Sequence, residues 1–179
     1  MNLVFKGDIV FSEKAISDRV LELGKKITDD YLRENGPGVE VSVVSVLKGG
    51  FVFLADLIRQ IDLDLTIDFM AISGYQKDGR DYPGVRIIKD LSESVYGKNL
   101  LLVEDIIDTG LTLSYILRNL ESRQPREIKI CALLDRAVRR IAPLHIDYVG
   151  FEVGEEFLVG YGLDHLQKWR NLRDIRALS

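Results

Sequence analysis

The sequence predicts an α/β protein in which a mostly parallel, twisted sheet is flanked by helices. Short apolar stretches rich in β-branched residues alternate along the chain with segments of helical periodicity, and this alternation is typical of βαβ units. The length of 179 residues suits a single domain spanning residues 1–179. In such a sheet, ligands bind outside the carboxyl ends of the strands, so chemistry is expected directly after each apolar strand.

The chain is expected to open with an amphipathic helix followed by a buried strand. Ser12 can cap a helix that runs toward Asn35, and Gly36-Pro37-Gly38 ends it. Apolar residues recur every three or four positions along one face of this helix: Ile16, Val20, Leu23, Ile27 and Tyr31. Val41–Val46 is nearly all apolar and β-branched, which indicates a strand covered on both faces.

The rest of the chain continues the alternation. Lys48-Gly49-Gly50 reads as a turn before a short helix over Phe51–Arg59, and a second helix is predicted at Leu111–Glu121. The polar, glycine-rich segment Ser73–Gly84 predicts a mobile loop. Short β-like pieces follow within Asp147–Leu178. Further strands are predicted at Leu65–Ile72, Val85–Lys89, Asn99–Val103 and Lys129–Leu134.

Composition excludes several classes of protein and site. The 24 Lys and Arg and the 28 Asp and Glu give a formal net charge of −4, which argues against a nucleic-acid coat. No apolar run reaches the roughly 18 residues of a membrane span, and Met1–Val10 does not read as a signal peptide, so a cytoplasmic protein is expected. Cys131 is the single cysteine, and with two histidines this excludes a disulfide and a Cys- or His-rich metal site.

The strongest functional signal lies in Leu100–Thr112, where an apolar strand runs into acidic residues. Glu104 and Asp105 follow the strand, and Asp108 comes after two further apolar residues. Carboxylates at the end of a buried strand cost free energy unless a positive group approaches them. Thr109–Thr112 is rich in small hydrogen-bonding residues and leads into a helix, so its N–H and hydroxyl groups predict an anion cradle.

A bound cation would allow the acids and a phosphate ligand to lie side by side in this segment. Carboxylates repel a phosphate ligand, so we expect a divalent ion, Mg²⁺, held by one or two carboxylates, water and the substrate. A phosphorylated sugar with vicinal hydroxyls would suit the acids and the cradle together. The alternative is that Asp108 and Thr109 only cap the next helix while Glu104 and Asp105 are solvated. No Gly-Lys-Ser/Thr is present, so this is not a Walker loop.

The string VEDIIDTGLT (103–112) resembles the 5-phosphoribosyl-1-pyrophosphate (PRPP) binding motif of type I phosphoribosyltransferases. That motif has four apolar residues, two acids, two variable residues and then Asp or Ala, Thr, Gly, a variable residue and Thr. Within this group the sequence resembles the hypoxanthine (hypoxanthine-guanine) phosphoribosyltransferases from about Phe5 to Leu172. The resemblance implies a core of about 36–146, a small hood formed by the N-terminal strand and about 147–179, and a mobile lid at about 73–84.

The resemblance also implies roles for the residues of the PRPP motif. Glu104 and Asp105 would contact the ribose hydroxyls, directly or through Mg²⁺. Asp108 would be the general base or acid at purine N7. The 5′-phosphate would bind backbone N–H and hydroxyl groups of the residues that follow: Thr109, Gly110, Leu111 and Thr112.

Two loops are implied to close on the pyrophosphate and the ribose. Lys48 and Gly49 match the pyrophosphate loop, in which the peptide corresponding to Leu47-Lys48 is often cis. Ser73 and Tyr75 match a lid that excludes water from the reacting centre. Many members have Ser immediately before the Tyr, where this chain has Gly74.

The C-terminal third is implied to hold the base and the far side of the pyrophosphate. Phe157 matches the aromatic residue that stacks on the purine, and backbone groups of Leu158 would read the base edge. Asp164, at the same pocket, would hold a second Mg²⁺ on pyrophosphate, which Arg170 would also reach. Arg136 stands where the family usually has a Lys that binds the 6-oxo group, so the relative use of hypoxanthine, guanine and xanthine is open.

Residues Arg139 and Arg140, which follow Arg136 closely, are expected to be solvated or to lie at a subunit contact. Family members are dimers or tetramers, so a homodimer or homotetramer is expected.

The implied reaction is transfer of the 5-phosphoribosyl group from PRPP to N9 of hypoxanthine, and of guanine as well, with release of pyrophosphate. This is a step of purine salvage, with no nucleic-acid or membrane partner. One alternative is another base-specific member, such as a xanthine-guanine enzyme, against which the hood segment argues. Another is a non-catalytic PRPP-sensing regulator, which would need a basic face that a chain of net charge −4 lacks.

Overall fold

Helices and strands alternate along the chain, as the sequence predicts. The computed structural model describes residues 7–77 and 80–178, and within 74–85 it describes the backbone without the side chains. The helices are Glu13–Asn35 (α1), Phe51–Leu57 (α2) and Leu111–Glu121 (α3). The strands are Ile9–Phe11 (β1), Glu40–Leu47 (β2), Asp64–Lys77 (β3), Arg80–Lys89 (β4), Asn99–Ile107 (β5), Glu127–Asp135 (β6), Tyr148–Glu152 (β7), Leu158–Val159 (β8) and Ile175–Ala177 (β9).

Six strands form one large sheet in the order β4-β3-β2-β5-β6-β7. The pair β3–β4 is antiparallel and the other neighbours are parallel, so the prediction of a mostly parallel sheet flanked by helices is confirmed. The carboxyl ends of β2, β5 and β6 lie side by side at one edge. A ligand site is expected at that edge.

The helix α1 begins and ends as its sequence predicts. The Ser12 hydroxyl accepts a hydrogen bond from the Ala15 N–H (3.2 Å), and Gly36 ends the helix with φ +83° while its N–H donates to the Leu32 carbonyl. Ile27 and Tyr31 are completely buried on the predicted face. Among the described residues, no helix is both long enough and apolar enough to cross a membrane.

The two faces of the sheet bury two separate hydrophobic clusters. Val41 and Val43 of β2 pack with α1 and α2, whereas Val44 and Val46 pack with α3 on the opposite face. Successive side chains of a strand point to opposite faces, so a run of apolar residues is what a doubly covered strand requires. Cys131 in β6 is fully buried, and burial raises the pKa of its thiol, in agreement with the inert thiol that its apolar surroundings indicate.

The loop predicted at Ser73–Gly84 is largely strand, so this prediction was wrong. The strand β3 continues to Lys77 and β4 begins at Arg80, and these two residues pair in an antiparallel hairpin. Pairing satisfies the backbone N–H and C=O groups that a polar loop would leave to water. The intervening Asp78-Gly79 lies outside the described residues, but Asp-Gly between two strands is a strong hairpin signal in sequence. The predicted mobility stays a prediction.

A second, smaller sheet has the order β1-β9-β8 and is antiparallel. It joins the N-terminal strand to the C-terminal segment, as the predicted hood does. The strand β7, which the sequence analysis assigns to the hood, instead pairs with β6 at the edge of the large sheet. The Phe11 and Phe151 rings stack with their centroids 4.2 Å apart, which connects the small sheet to this edge.

Candidate active site

Two adjoining cavities open at the carboxyl ends of β2, β5 and β6. The larger measures about 340 Å³, the smaller about 210 Å³, and both are lined by Ile106 and Asp108. The larger is also lined by Lys48, Gly49, Asp105, Arg136, Phe157, Leu158, Leu163, Asp164 and Arg170. The smaller is also lined by Glu104, Ile107, Thr109, Gly110, Thr112 and Leu113. The structure thus brings together most of the residues singled out in the sequence.

Three of the predicted residues stand outside both cavities. Leu111 begins α3 with its side chain 53% exposed, which agrees with a role for its backbone alone. Ser73 lies in β3 opposite Arg86. Tyr75 also lies in β3, but its side chain is outside the described residues.

The strand β5 extends past the predicted end at Val103 and carries the acids within it. Glu104 and Asp105 are neighbours in this strand, so their side chains point to opposite faces. Glu104 accordingly lines the smaller cavity and Asp105 the larger one. The two acids that the sequence assigns to the hydroxyls of one sugar therefore line different cavities, and their contact with the sugar stays a prediction.

Asp108 lies at the junction of the two cavities. Its Oδ2 atom is 3.5 Å from Nη1 of Arg136 and 3.2 Å from Nη1 of Arg139. Its Oδ1 atom is buried and, within the described part of the chain, has no hydrogen-bond partner. One carboxylate oxygen therefore faces two cations, while the other is an acceptor that a ligand N–H or O–H would satisfy.

Arg136 is buried and ties the hood segment to the core. Its Nε atom donates to the Gly154 carbonyl (2.8 Å), and Nη2 donates to the Glu156 carbonyl (2.6 Å). The guanidinium is a planar fork with five N–H donors, so these bonds and the contact with Asp108 still leave donors unassigned. The sequence places Arg136 at the base, but its links to the backbone just before Phe157 could not be read from sequence.

The segment Asp108–Thr112 forms a tight loop at the start of α3. Gly110 adopts the left-handed conformation (φ +77°), and a Cβ there would lie 2.7 Å from Leu144 Cδ1. Only glycine fits this position without strain. The loop is also held from outside, because the Thr109 carbonyl accepts hydrogen bonds from the N–H groups of Ile141 (2.9 Å) and Ala142 (3.0 Å). Exposed N–H groups at the start of a helix favour an anion.

Backbone packs against backbone where the loop after β2 meets the hood. The Leu47-Lys48 peptide is cis, as the family resemblance suggests. A Cβ on Gly49 would collide with the Asp105 carboxylate, and a Cβ on Gly162 would collide with the Gly49 carbonyl. Both glycines are therefore required for this close approach, which brings the loop against Asp105 and the hood against the loop.

Lys48, Arg170 and Asp164 are joined by Gln167, a residue that the sequence analysis missed. The Gln167 Oε1 atom accepts hydrogen bonds from Lys48 Nζ (3.3 Å) and from Arg170 Nη2 (3.2 Å). Its backbone N–H donates to Asp164 Oδ2 (2.8 Å), and Asp164 Oδ1 pairs with Arg170 (2.6 Å). Gln167 lies in the segment 165–168, in which no sequence signal distinguishes it from an ordinary surface residue.

Aromatic rings support Phe157 at the mouth of the larger cavity. The Phe157 side chain is 51% exposed, which leaves surface available for a planar ligand. The His165 ring contacts it edge-on (centroids 5.4 Å apart), and Trp169 stacks on His165 (5.8 Å). The family resemblance implies a stacking role for Phe157, whereas the sequence analysis did not single out His165 or Trp169.

The carboxylates of β5 lie in surroundings that disfavour their charge. Burial raises the pKa of Asp105 to about 6, although the hydrogen bond from the Ile106 N–H (2.9 Å) lowers it in part. The charge of Asp164 raises that pKa further, whereas Arg170 lowers it. Burial and the adjacent Asp105 raise the pKa of Glu104 well above its ordinary value. A divalent cation brought by a ligand would relieve this strain.

The donor set fits a metal that keeps some ligands from elsewhere. Among the described residues no three His, Cys, Asp or Glu side chains converge as a closed metal site. Glu104, Asp105 and Asp164, the predicted ligands, are instead divided between the cavities. Mg²⁺ is commonly held by one or two carboxylates together with water and substrate oxygens, so the arrangement fits this ion.

Comparison with known proteins agrees with this geometry. Residues 12–166 match the family model described as the phosphoribosyl transferase domain. The chain belongs to the phosphoribosyltransferase family. A hypoxanthine-guanine phosphoribosyltransferase of Bacillus subtilis is 44% identical over 96% of this chain and 92% of the relative. A hypoxanthine phosphoribosyltransferase of Buchnera aphidicola is also 44% identical, over 92% of this chain and 91% of that protein.

A solved structure is similar over the whole fold. The hypoxanthine-guanine phosphoribosyltransferase of Bacillus anthracis superimposes with a TM-score of 0.89 at 41% identity, covering 98% of this chain and 100% of the other. The resemblance recognised in the PRPP motif is therefore confirmed at the level of the family and the fold.

Substitution of Asp105 by Asn is expected to stabilise the ligand-free protein at high pH. The folded carboxyl has a pKa of about 6 against an ordinary value of 3.8, so between these values the folded state binds the extra proton and stability falls as pH rises. Asp105→Asn removes this loss, which is on the order of 3 kcal/mol for a pKa raised from 3.8 to about 6. Thermal unfolding at pH 8 and pH 4, in EDTA and without ligand, measures the effect.

The gain in Tm for Asp105→Asn should be present at pH 8 and shrink toward zero at pH 4. Asp29→Asn, which removes the same charge from an exposed position of α1, is the control and should change little at either pH. An Asp105→Asn protein that is no more stable than the parent at pH 8 would contradict the burial of an unfavourable charge.

Proposed function

We propose that the protein transfers the 5-phosphoribosyl group of PRPP to N9 of hypoxanthine, and also of guanine, giving the nucleoside monophosphate and pyrophosphate. The observation that carries this proposal is the pair of cavities that meet at Asp108, one with a helix-start anion loop and the other with Lys48 and Arg170. A substrate with phosphates at both ends of a sugar suits this division. The relatives named hypoxanthine(-guanine) phosphoribosyltransferase support purine salvage.

The smaller cavity would bind the 5′-phosphate and the ribose. N–H groups of Thr109, Gly110 and Leu111 and the hydroxyls of Thr109 and Thr112 would surround the phosphate. Glu104 would approach the ribose hydroxyls from the smaller cavity, and Asp105 would approach them from the larger cavity, which adjoins the smaller one at Ile106 and Asp108. Tight packing of the loop keeps these donors in place before the ligand arrives, so little ordering is required on binding.

Mg²⁺ is the cofactor we propose. Glu104 or Asp105 would hold one ion beside the ribose, and Asp164 would hold a second ion beside the pyrophosphate. The bound ions would neutralise phosphate charge next to these carboxylates. The raised pKa values of Glu104 and Asp105 support this proposal, because such carboxyls gain most from a nearby cation.

The larger cavity would bind the purine and the departing pyrophosphate. Phe157 would stack on the base, with Leu158 contributing backbone groups at its edge. Lys48, the N–H of Gly49 and Arg170 would stabilise the charge that develops on the pyrophosphate as the bond to the ribose breaks. Gln167 is a neutral acceptor for Lys48 and Arg170, so an anion can replace it without displacing a charge.

Asp108 would move the purine N7 proton. Its Oδ1 atom has no partner among the described residues, whereas Oδ2 faces Arg136 and Arg139. A hydrogen bond from the purine N7–H would give Asp108 Oδ1 the partner that it lacks among the described residues. Proton transfer to the carboxylate would make N9 a better nucleophile in the attack on ribose C1.

The β3–β4 hairpin would serve as the lid. Ser73 and Tyr75 lie on its first strand, and closure would keep water from the reacting centre. We also propose a homodimer or homotetramer, which light scattering after gel filtration would measure. The expected cytoplasmic location stays a prediction.

The assay that tests the function supplies PRPP, Mg²⁺ and one base at a time. Hypoxanthine is expected to give pyrophosphate and nucleotide, with guanine as a second substrate and adenine inactive. EDTA should abolish the reaction and added Mg²⁺ should restore it. Pyrophosphate release with xanthine and guanine but not with hypoxanthine would favour the xanthine-guanine alternative. PRPP binding without turnover on any base would favour a regulator.

Substitution of Asp108 by Asn should impair chemistry more than binding. Asn keeps the size and the acceptor oxygen but cannot take the N7 proton, so we expect kcat to fall by about 10²-fold or more while the KM for PRPP changes little. Steady-state kinetics with saturating hypoxanthine measures both. Asp29→Asn is the charge-matched control, and equal losses in kcat and PRPP binding would count against the role of Asp108 as base.

Substitution of Arg136 by Lys should change base preference. A Lys ammonium cannot hold the Gly154 and Glu156 carbonyls and also face Asp108 in the way the fork does. We expect the ratios of kcat/KM among hypoxanthine, guanine and xanthine to shift by about threefold or more, with the KM for PRPP nearly unchanged. Identical ratios in the parent and in Arg136→Lys would show that Arg136 does not influence the base.

A further inference from the structure

The cavity assigned to the 5′-phosphate has the wrong charge for a phosphate. Among the described residues, its lining includes two acids, Glu104 and Asp108, and no Lys or Arg. A phosphate monoester carries close to two negative charges at neutral pH. Arg136 and Arg139 already face the Asp108 carboxylate, so the charge of the phosphate itself has to be met at the loop. The partial charge at the start of α3 equals about half an elementary charge, which is smaller than the charge of the ligand. A further positive group close behind the loop would therefore favour binding of the phosphate.

Arg140 is placed behind the loop at Gly110. It belongs to the segment between β6 and β7, and only 16% of its side chain is exposed. Its Cδ and Nη1 atoms lie 3.2 and 3.3 Å from the point that a Cβ on Gly110 would occupy. The absence of a side chain at Gly110 thus lets the guanidinium approach the backbone of the phosphate loop directly.

The orientation of Arg140 is fixed by an ion pair. Its Nη2 atom pairs with Asp135 at the end of β6, and Asp135 is equally buried. Its Nη1 atom is also buried, but it has no hydrogen-bond partner among the described residues. A buried donor without a partner is uncommon in a native protein, and here it lies on the side of the loop. Asp135 holds one end of the guanidinium and leaves the other end directed at Gly110.

The same segment clamps the loop mechanically. Directly after Arg140, the N–H groups of Ile141 and Ala142 donate to the Thr109 carbonyl. Arg140 and the loop are therefore parts of one packed unit, so that the position of the guanidinium and the shape of the loop depend on each other. Arg139 is less suited to this role, because it is 51% exposed and pairs with Asp108.

We propose that Arg140 is the positioning residue for the 5′-phosphate of substrate and product. Its guanidinium supplies from behind Gly110 the positive charge that the loop lacks, and it holds the loop in the shape that binds an anion. A partly buried charge is screened less than an exposed one. Because Gly110 has no side chain, the Arg140 guanidinium can act on a phosphate bound on the other side of the loop. This inference rests on the proposed assignment of Asp108–Thr112 as the 5′-phosphate site.

The test compares two ligands that differ only in the phosphate. Calorimetric titration with inosine 5′-monophosphate and with inosine gives two Kd values for each protein, and their ratio isolates the contribution of the phosphate. Arg140→Met, which keeps the length of the stem without the charge, should weaken the monophosphate about tenfold and leave inosine within about twofold. Arg118→Met, which removes the same charge from an exposed position near the end of α3, should change neither Kd.

Arg140→Lys separates charge from packing and provides a second variant if Arg140→Met does not fold. Lys restores the charge, so Arg140→Lys should bind the monophosphate more weakly than the parent by less than about threefold and keep the parent affinity for inosine. Equal losses for both ligands in either folded variant, or an unchanged ratio in Arg140→Met, would overturn the role of Arg140. A parent protein that binds both ligands equally would instead overturn the phosphate assignment of the loop.

Discussion

The site depends on the burial of negative charge at the end of β5. Leu100, Leu101, Leu102 and Val103 are fully buried, and the same strand then carries Glu104 and Asp105 before it ends. Its pairing with β6 continues to Ile107, which fixes the acids in a rigid ladder. Because the pKa values of both carboxyls are raised, the folded protein holds them at a cost. Surrounding groups offset the charge in part, and the ligand with its cation would supply the rest.

Local patterns explain why so much of the fold could be predicted. The helix α1 is set by its cap and its apolar period, and β2 is set by an unbroken β-branched run. The sequence-based predictions are wrong where pairing between strands distant in the chain determines the structure. The polar composition of 73–84 resembles a loop, but pairing with a neighbouring strand satisfies its backbone. Likewise, β5 extends beyond its apolar run because its neighbour β6 pairs with it as far as Ile107.

The residues of the site likewise differ in whether a local sequence pattern could predict them. The contiguous motif around Asp108 could be found in the sequence, since its chemistry lies in one short segment. Gln167 could not, because its significance comes from Lys48, which is 119 residues away in the chain. Arg140 is a further example, since nothing in the run of arginines after β6 indicates which one lies behind Gly110. Residues that position other residues leave little trace in a single sequence.

Arg136 combines both halves of the site in one side chain. Its fork holds the Gly154 and Glu156 carbonyls of the segment that leads to Phe157, and it also faces the carboxylate of Asp108. A Lys at this position would have one nitrogen with which to make these contacts. Most donors of the planar guanidinium thus fix the distance between Phe157, the stacking residue, and Asp108, the proposed general base. Fewer donors remain to bind the purine directly. Selectivity among purines would then depend on this geometry as much as on a direct hydrogen bond.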